Sequence, residues 1–381
     1  MKKFFLLAII LLSIFCFLSC RQDEKKEISK ISPVVLDTIF GKVKVEEPVI
    51  LELLDSFAMQ RIKGIDQSGP PKYFMNLPSF SRYEHSIGVF ALLKKTGASL
   101  DEQIAGLLHD VSHTIFSNVG DHIFQRNYTL RYKSKIHYWY LEKVKIDEIL
   151  QKYEKSIDDI MPNNPEFLRL KQDLPHLCAD RIEYNLHTAK IYNLVSQEEI
   201  DEIVKDLGFE DEKWFFNSQK SALKIAEISM YFSEKFWGPD WNYVLYNWSA
   251  SIILRAVELG LVTFDDIHFG NDLEIIDRLK DCDDEVVKEF IQKCCSPYDY
   301  YEKGDFHNHA LVIFHKFRGI NPLVKDNGKF FQLSSLDKDF KKKYFSLKKK
   351  MSKGSPISFI NIKNNKKHRN ALKKEFALFI K

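Results

Sequence analysis

Ser81-Arg82-Tyr83-Glu84-His85-Ser86, Leu107-Leu108-His109-Asp110 and Ala179-Asp180-Arg181 place imidazole and carboxylate groups inside otherwise apolar, helix-patterned sequence. The middle stretch closes the run Ile104-Ala105-Gly106-Leu107-Leu108, whose composition predicts burial. A charged Asp110 at the end of such a run is costly unless it is paired or bound to a metal. Mixed His and carboxylate ligands suit a divalent transition metal, and an incomplete protein shell leaves positions for water and a phosphate oxygen. A His–Asp dipeptide by itself is a weak signal, better explained by a satisfied hydrogen bond in the core.

Working outward, the sequence reads as mostly α. Val35 to Val49 is β-branched and apolar around Gly41, which suggests a small hairpin. Helical spacing then carries Ile50, Leu51, Leu53, Leu54 and Phe57, and Gly69-Pro70-Pro71 ends that region. Helices are expected over Ser81–Lys95, Asp101–Val111, Ile136–Lys152, Pro165–Thr188, Gln197–Leu207, Ser218–Phe236 and Asn247–Leu259. There is no internal repeat, and no Walker loop, dinucleotide-binding glycine motif or nucleophile elbow.

The order H…HD…D, with these flanks, resembles the HD superfamily of metal-dependent phosphohydrolases. It is closest to the deoxynucleotide triphosphohydrolase branch and is similar to the HD domain of the SAM-and-HD-domain dNTPase. Met59 to Gln67 looks like that branch's Q-R-L-x-x-I-x-Q. Ser81–Gly88 looks like R-x-E-H-S-x-G, Ala105–Ser117 like A-x-L-x-H-D-x-x-H-x-x-F-S, and Asp180–Tyr184 like D-R-x-x-Y. The likeness covers about residues 36–190 and continues more loosely to about 265. It implies an HD-domain helical bundle behind the small N-terminal hairpin, with an α-rich C-terminal region.

The resemblance also implies roles. His85, His109, Asp110 and Asp180 would hold a divalent metal (Mn, Fe, Zn, Ni or Mg). Adjacent ligands can serve one ion because they diverge by about a quarter turn of helix. His113 matches the family's extra active-site histidine; His137 matches a second one, with Asp121 as its carboxylate partner in proton delivery. Gln67 and Tyr184 would contact a sugar, and Arg82 and Arg181 would fork onto phosphate oxygens. Three positions depart from the branch: Asn118 and Thr188 stand where it often has His and Asp, and Tyr246-Asn247-Trp248-Ser249 stands for a Y-x-H-K-like triphosphate contact. The function implied is metal-dependent hydrolysis of a nucleotide or related phosphoester or phosphoanhydride, with dNTP triphosphohydrolysis as one form. The alternative is a non-catalytic nucleotide- or nucleic-acid-binding protein, and related triphosphohydrolases assemble into homo-oligomers.

The chain ends carry other information. Lys2 and Lys3 precede an apolar run from Phe4 to Leu18 broken only by Ser13. That is short for a membrane span and fits a signal peptide over 1–19. Leu18-Ser19-Cys20, followed at once by Arg21-Gln22-Asp23-Glu24, resembles a bacterial lipoprotein signal. It implies lipidation of Cys20, a linker over 20–35 and an extracytoplasmic, membrane-anchored protein. The four cysteines beyond Cys20 lack C-x-x-C spacing and read as buried thiols, with one disulfide the other option.

Composition agrees with a folded chain of about two domains: 381 residues, 45% hydrophobic and 29% charged, which excludes a disordered or fibrous protein. The net charge of +3 is an average. From Lys338 to Lys381 fifteen Lys/Arg meet only Asp339 and Glu375, a net of +13 that leaves −10 for the rest. The resemblance runs out at about 265, which places a domain boundary at 265/266 and leaves a C-terminal region over 266–381 whose basic tail suits anionic lipid or nucleic acid.

Overall fold

A computed structural model describes residues 32–124 and 131–360. The expected signal peptide, Cys20 and most of the linker lie outside the described residues, as does the basic tract beyond 360. The architecture is α-rich. It opens on an antiparallel hairpin, Val34–Thr38 against Gly41–Val45, closed by Ile39-Phe40 with Thr38 paired to Gly41. Both turn residues are buried, so the hairpin is pinned to the core by its tip.

At the centre lies helix Arg82–Lys95. Ser81 caps it with a reciprocal capping box to Glu84, which satisfies donors that a helix start leaves open. Ile87, Val89, Phe90, Leu92 and Leu93 are buried, so this helix is enclosed on nearly all sides. It packs against helices Leu100–Leu108 and Ala179–Ile191. Gly106 permits the first contact, because a Cβ there would lie 2.3 Å from Leu93 Cδ1. The close approach brings the end of one helix, at His109, level with His85 on the other.

Two expected helices differ from the structure. Ile136–Lys152 divides into Tyr132–Lys143 and Ile146–Gln151, separated by Lys145 in the left-handed region at φ 63°. Pro165–Thr188 is helical only from Ala179. Upstream, the buried Glu102 carboxylate accepts the backbone N–H groups of Arg169 and Leu170, each at 2.8 Å, and Pro175 has no N–H to give. Local donors are thus taken by a distant acid, and the 161–178 segment runs as irregular chain.

Strands in the C-terminal part are short, and several pair over long sequence separations. Lys213–Phe216 joins Leu207–Glu210 antiparallel and Leu323–Asp326 parallel, and the latter pairs with Lys329–Gln332. Tyr301–Lys303 and Leu311–Ile313 flank Ser355–Phe359. Helix Lys338–Ser352 buries Phe340, Tyr344 and Met351 and exposes Lys341, Lys342, Lys343, Lys348, Lys349 and Lys350. This part of the basic tract is one solvated face of a packed helix. Among the described residues Cys178, Cys282 and Cys294 are buried free thiols, and Cys295 is partly buried.

The proposed boundary at 265/266 runs through a set of contacts. Ile267 carbonyl accepts Ile115 N–H at 3.0 Å, and Gly270 carbonyl accepts Arg61 Nε at 2.9 Å. Arg61 also donates through Nη1 to the carbonyls of Val111 and His113 at 3.2 and 2.9 Å. Residues 266–280 therefore buttress the chain that follows His109-Asp110.

Candidate metal centre

His85 comes from the first turn of helix Arg82–Lys95, His109 from the C-cap of Leu100–Leu108, and Asp180 from the first turn of Ala179–Ile191. Their ligand atoms all lie within 4.8 Å of one another. His85 Nε2 is 3.2 Å from both His109 Nε2 and Asp180 Oδ1, and His109 Nε2 is 3.8 Å from that oxygen.

The outer nitrogens fix what the inner ones offer. His109 Nδ1 lies 2.7 Å from the Gly106 carbonyl, which can only accept, so Nδ1 carries the proton and Nε2 presents a lone pair. His85 Nδ1 is bonded to Glu183 Oε2. The other oxygen of the buried Glu183 takes His187 Nδ1 at 2.7 Å, and His187 stacks on Phe80 at 3.7 Å. Imidazoles oriented by a carbonyl or carboxylate behind them are the usual second layer of a metal site. Gly88 makes room for this carboxylate, since a Cβ there would lie 2.6 Å from Glu183 Oε1.

Electrostatics show how the group balances its charge. Burial opposes charge on His85, yet Glu183 and Asp180 raise its pKa to about 10; burial drives neighbouring His109 down to about 4. An imidazolium beside a neutral imidazole is how the side chains alone balance the buried carboxylates. Two convergent Nε2 atoms with carboxylate oxygen alongside fit a divalent cation, which would supply that charge without a proton.

Asp110 adjoins this group. Its Oδ1 is 3.4 Å from His109 Nε2 and its Oδ2 is 3.8 Å from His85 Nε2. Arg82 Nη1 and Lys133 Nζ also donate to it. Despite burial, His109, Lys133 and Arg82 hold its carboxyl well below the usual range. Arg82, expected on phosphate, is thus joined to Asp110, with Nε on Ser117 Oγ at 2.8 Å and Nη2 on the Gln67 carbonyl at 3.3 Å. His113 Nε2 lies 3.3 Å from Asp110 Oδ1, and burial together with Arg82 holds that ring neutral.

A cavity of about 1200 Å³ opens over Asp110, His113 and Asp180. Gln67, Arg82, Asp121, Arg181 and Tyr184 line it as well. Gln67 Oε1 is buried without a hydrogen-bond partner among the described residues, and Tyr184 stands edge-on to Trp237 at 5.2 Å. Arg181 donates to the His176 and Gln172 carbonyls. The structure does not join His137 to Asp121. His137 Nδ1 meets Ser112 Oγ at 2.8 Å, whereas Asp121 Oδ1 accepts Tyr132 N–H at 2.7 Å. Among the described residues His137 Nε2 has no hydrogen-bond partner, and burial with Lys133 nearby lowers its pKa to about 3.

Sequence reading missed most of the basic lining: Arg131, Lys133, Lys171, Lys316 and Arg318. Asn118, in the place of a family histidine, accepts Arg131 Nη1 at 2.9 Å and so steers that guanidinium. Arg318 and burial lower Lys316 to about 8. No local pattern marks Lys316 or Arg318; the fold alone returns them to the cavity. Aromatic surface faces them, including Trp237, Trp241 and Tyr246.

An HD domain model matches residues 82–184. The chain is 31% identical over 243 residues to the metal-dependent phosphohydrolase cns2 of Cordyceps militaris, covering 61% of this chain and 68% of that protein. An uncharacterized Bacillus subtilis protein, YdhJ, is 29% identical over 331 residues, 86% of this chain and 99% of its own. The deoxynucleoside triphosphate triphosphohydrolase SAMHD1 of Bos taurus is 32% identical over 119 residues, 27% of this chain and only 19% of that protein.

Proposed function

Because the chain belongs to the HD-domain metal-dependent phosphohydrolases, we propose that it hydrolyses a nucleotide or a related phosphoester or phosphoanhydride. The observation that carries this reading is the convergence of His85, His109 and Asp180 beneath a cavity with both basic and aromatic walls. These three residues would hold the cation, with Asp110 as fourth ligand. A divalent ion in this position contributes Lewis acidity and lowers the pKa of water. His113 and Lys133 would gather round the reacting phosphate, with Arg82 held beside them on Asp110. His113 is neutral in the unliganded site and serves there as a hydrogen-bond group; an arriving phosphate dianion favours its protonation, so it can give a proton to the leaving oxygen. Arg131, Arg181, Lys316 and Arg318 would bind the remaining anionic part, with base or sugar against Trp237, Trp241, Tyr184 and Gln67. The SAMHD1 likeness supports a nucleotide, with dNTP triphosphohydrolysis as its most specific form.

The decisive experiment measures bound metal and phosphate release over a nucleotide panel. His109→Ala and Asp180→Ala should each lose the ion and lower kcat at least roughly a thousandfold, a loss of about 4 kcal/mol in transition-state stabilisation. Turnover equal to the native protein in both variants would break the reading. Cys20 and its flanks support an extracytoplasmic lipid-anchored form, with the basic tract as a second contact to anionic lipid. Labelled palmitate should enter the native chain and not Cys20→Ala; a cytosolic, unlabelled protein would refute the anchor.

A further inference from the structure

Asp272 opens helix Asp272–Lys280, outside the residues that the HD domain model matches, and is completely buried. Its two oxygens accept backbone N–H groups from two separate segments: Oδ2 takes Asp66 N at 2.9 Å and Oδ1 takes Phe116 N at 2.6 Å. Burial pushes this carboxyl up to about 7 while those donors pull it down, so an acid is retained where an apolar residue would cost less desolvation.

Both bonded segments lead to the metal centre. Phe116 and Ser117 occupy the left-handed region, at φ 51° and 59°, a conformation unfavourable for residues with a side chain. Gly69, at φ 65°, sits against this turn; a Cβ on it would lie 2.5 Å from the Phe116 carbonyl oxygen. Ser117 Oγ donates to the Asp66 carbonyl and accepts Arg82 Nε at 2.8 Å. Arg82 then reaches Asp110 through Nη1. The bonds run Asp272, Phe116-Ser117, Arg82, Asp110 without a gap.

We propose that Asp272 is a positioning residue for the metal centre, holding the Phe116-Ser117 turn so that Ser117 aims Arg82 at Asp110. The inference rests on Asp110 being a metal ligand. Asp272→Asn keeps the shape but sets an amide N–H₂ against one backbone N–H. Ser117→Ala removes the link to Arg82 and leaves Asp272 untouched.

The test titrates Mn(II) into the full chain, following free ion by electron paramagnetic resonance, with Co(II) absorption reporting the ligand geometry. Each variant should weaken Mn(II) binding roughly 10- to 100-fold, the usual effect of disturbing a second-layer partner. Each should alter the Co(II) spectrum while circular dichroism shows a folded protein. The double variant should be no weaker than the poorer single one, since both cut one chain of bonds. A merely structural Asp272 would lower the melting temperature yet leave Mn(II) affinity and the Co(II) spectrum native. That result in folded Asp272→Asn, or native affinity in Ser117→Ala, overturns the inference alone. A native protein that binds neither ion overturns it together with the phosphohydrolase reading.

Discussion

The stretch 81–117 and the region from 266 onward contribute to one site in opposite ways. The first carries His85, His109, Asp110 and His113, whose identities are dictated by what they bond. The second carries carbonyls at Ile267 and Gly270, the buried Asp272 and the cavity cations Lys316 and Arg318. Ligand chemistry leaves a spaced pattern along the chain. Support and anion binding need only the right group at the right point in space, and residues from distant sequence can supply it.

The largest effect that separates these contributions is expected at Glu183. It serves the first region from behind, anchoring His85 and His187. Glu183→Ala should weaken divalent-metal binding roughly 10- to 100-fold. Binding measured by calorimetry at native strength would show that the His85 ring is held by packing alone, which would blur the distinction drawn between ligand and support.

An effect of similar size, on KM and not on the metal, is expected at Arg318. Losing a charged hydrogen bond costs roughly 1.5–3 kcal/mol, so Arg318→Ala should raise KM roughly 10- to 100-fold with metal content unchanged. Steady-state kinetics beside metal analysis checks this. A fall in kcat with KM unaltered would place Arg318 at the reacting phosphate and move the second region into the chemistry itself.

The same division explains what was legible in the sequence. Helix Arg82–Lys95 could be read because its cap and apolar positions are local, and Asp110 because a charge ending an apolar run demands a partner. Gly88 and Gly106 stood in view, but their use appears only when Glu183 and Leu93 press against them. The 165–178 segment looked helical because periodicity does not register that Glu102, more than sixty residues away in sequence, takes its N–H groups. Asp121 and His137 were paired on resemblance; in the fold, Tyr132 N–H and Ser112 claim them first. Strands of three to five residues carry too little alternation to announce partners a hundred residues distant.

The smallest effect concerns how rigidly the second region must be fixed. Arg278 Nη1 lies 2.8 Å from Asp266 Oδ2, joining helix Phe264–Phe269 to helix Asp272–Lys280 across Gly270. Arg278 and the Thr263 cap lower the Asp266 pKa to about 2, so any stability from this pair is present above the ordinary carboxylate range and lost as pH falls toward 2. Arg278 is partly exposed, which limits the pair to roughly 0.5 kcal/mol after solvent screening. Arg278→Ala should therefore shift the denaturation midpoint slightly at pH 7, less at pH 3, and leave Mn(II) affinity unchanged. If Mn(II) binding instead weakens as much as in Asp272→Asn, the support for the metal centre extends to the protein surface, and the buried carboxylate of Asp272 is one part of a larger lever.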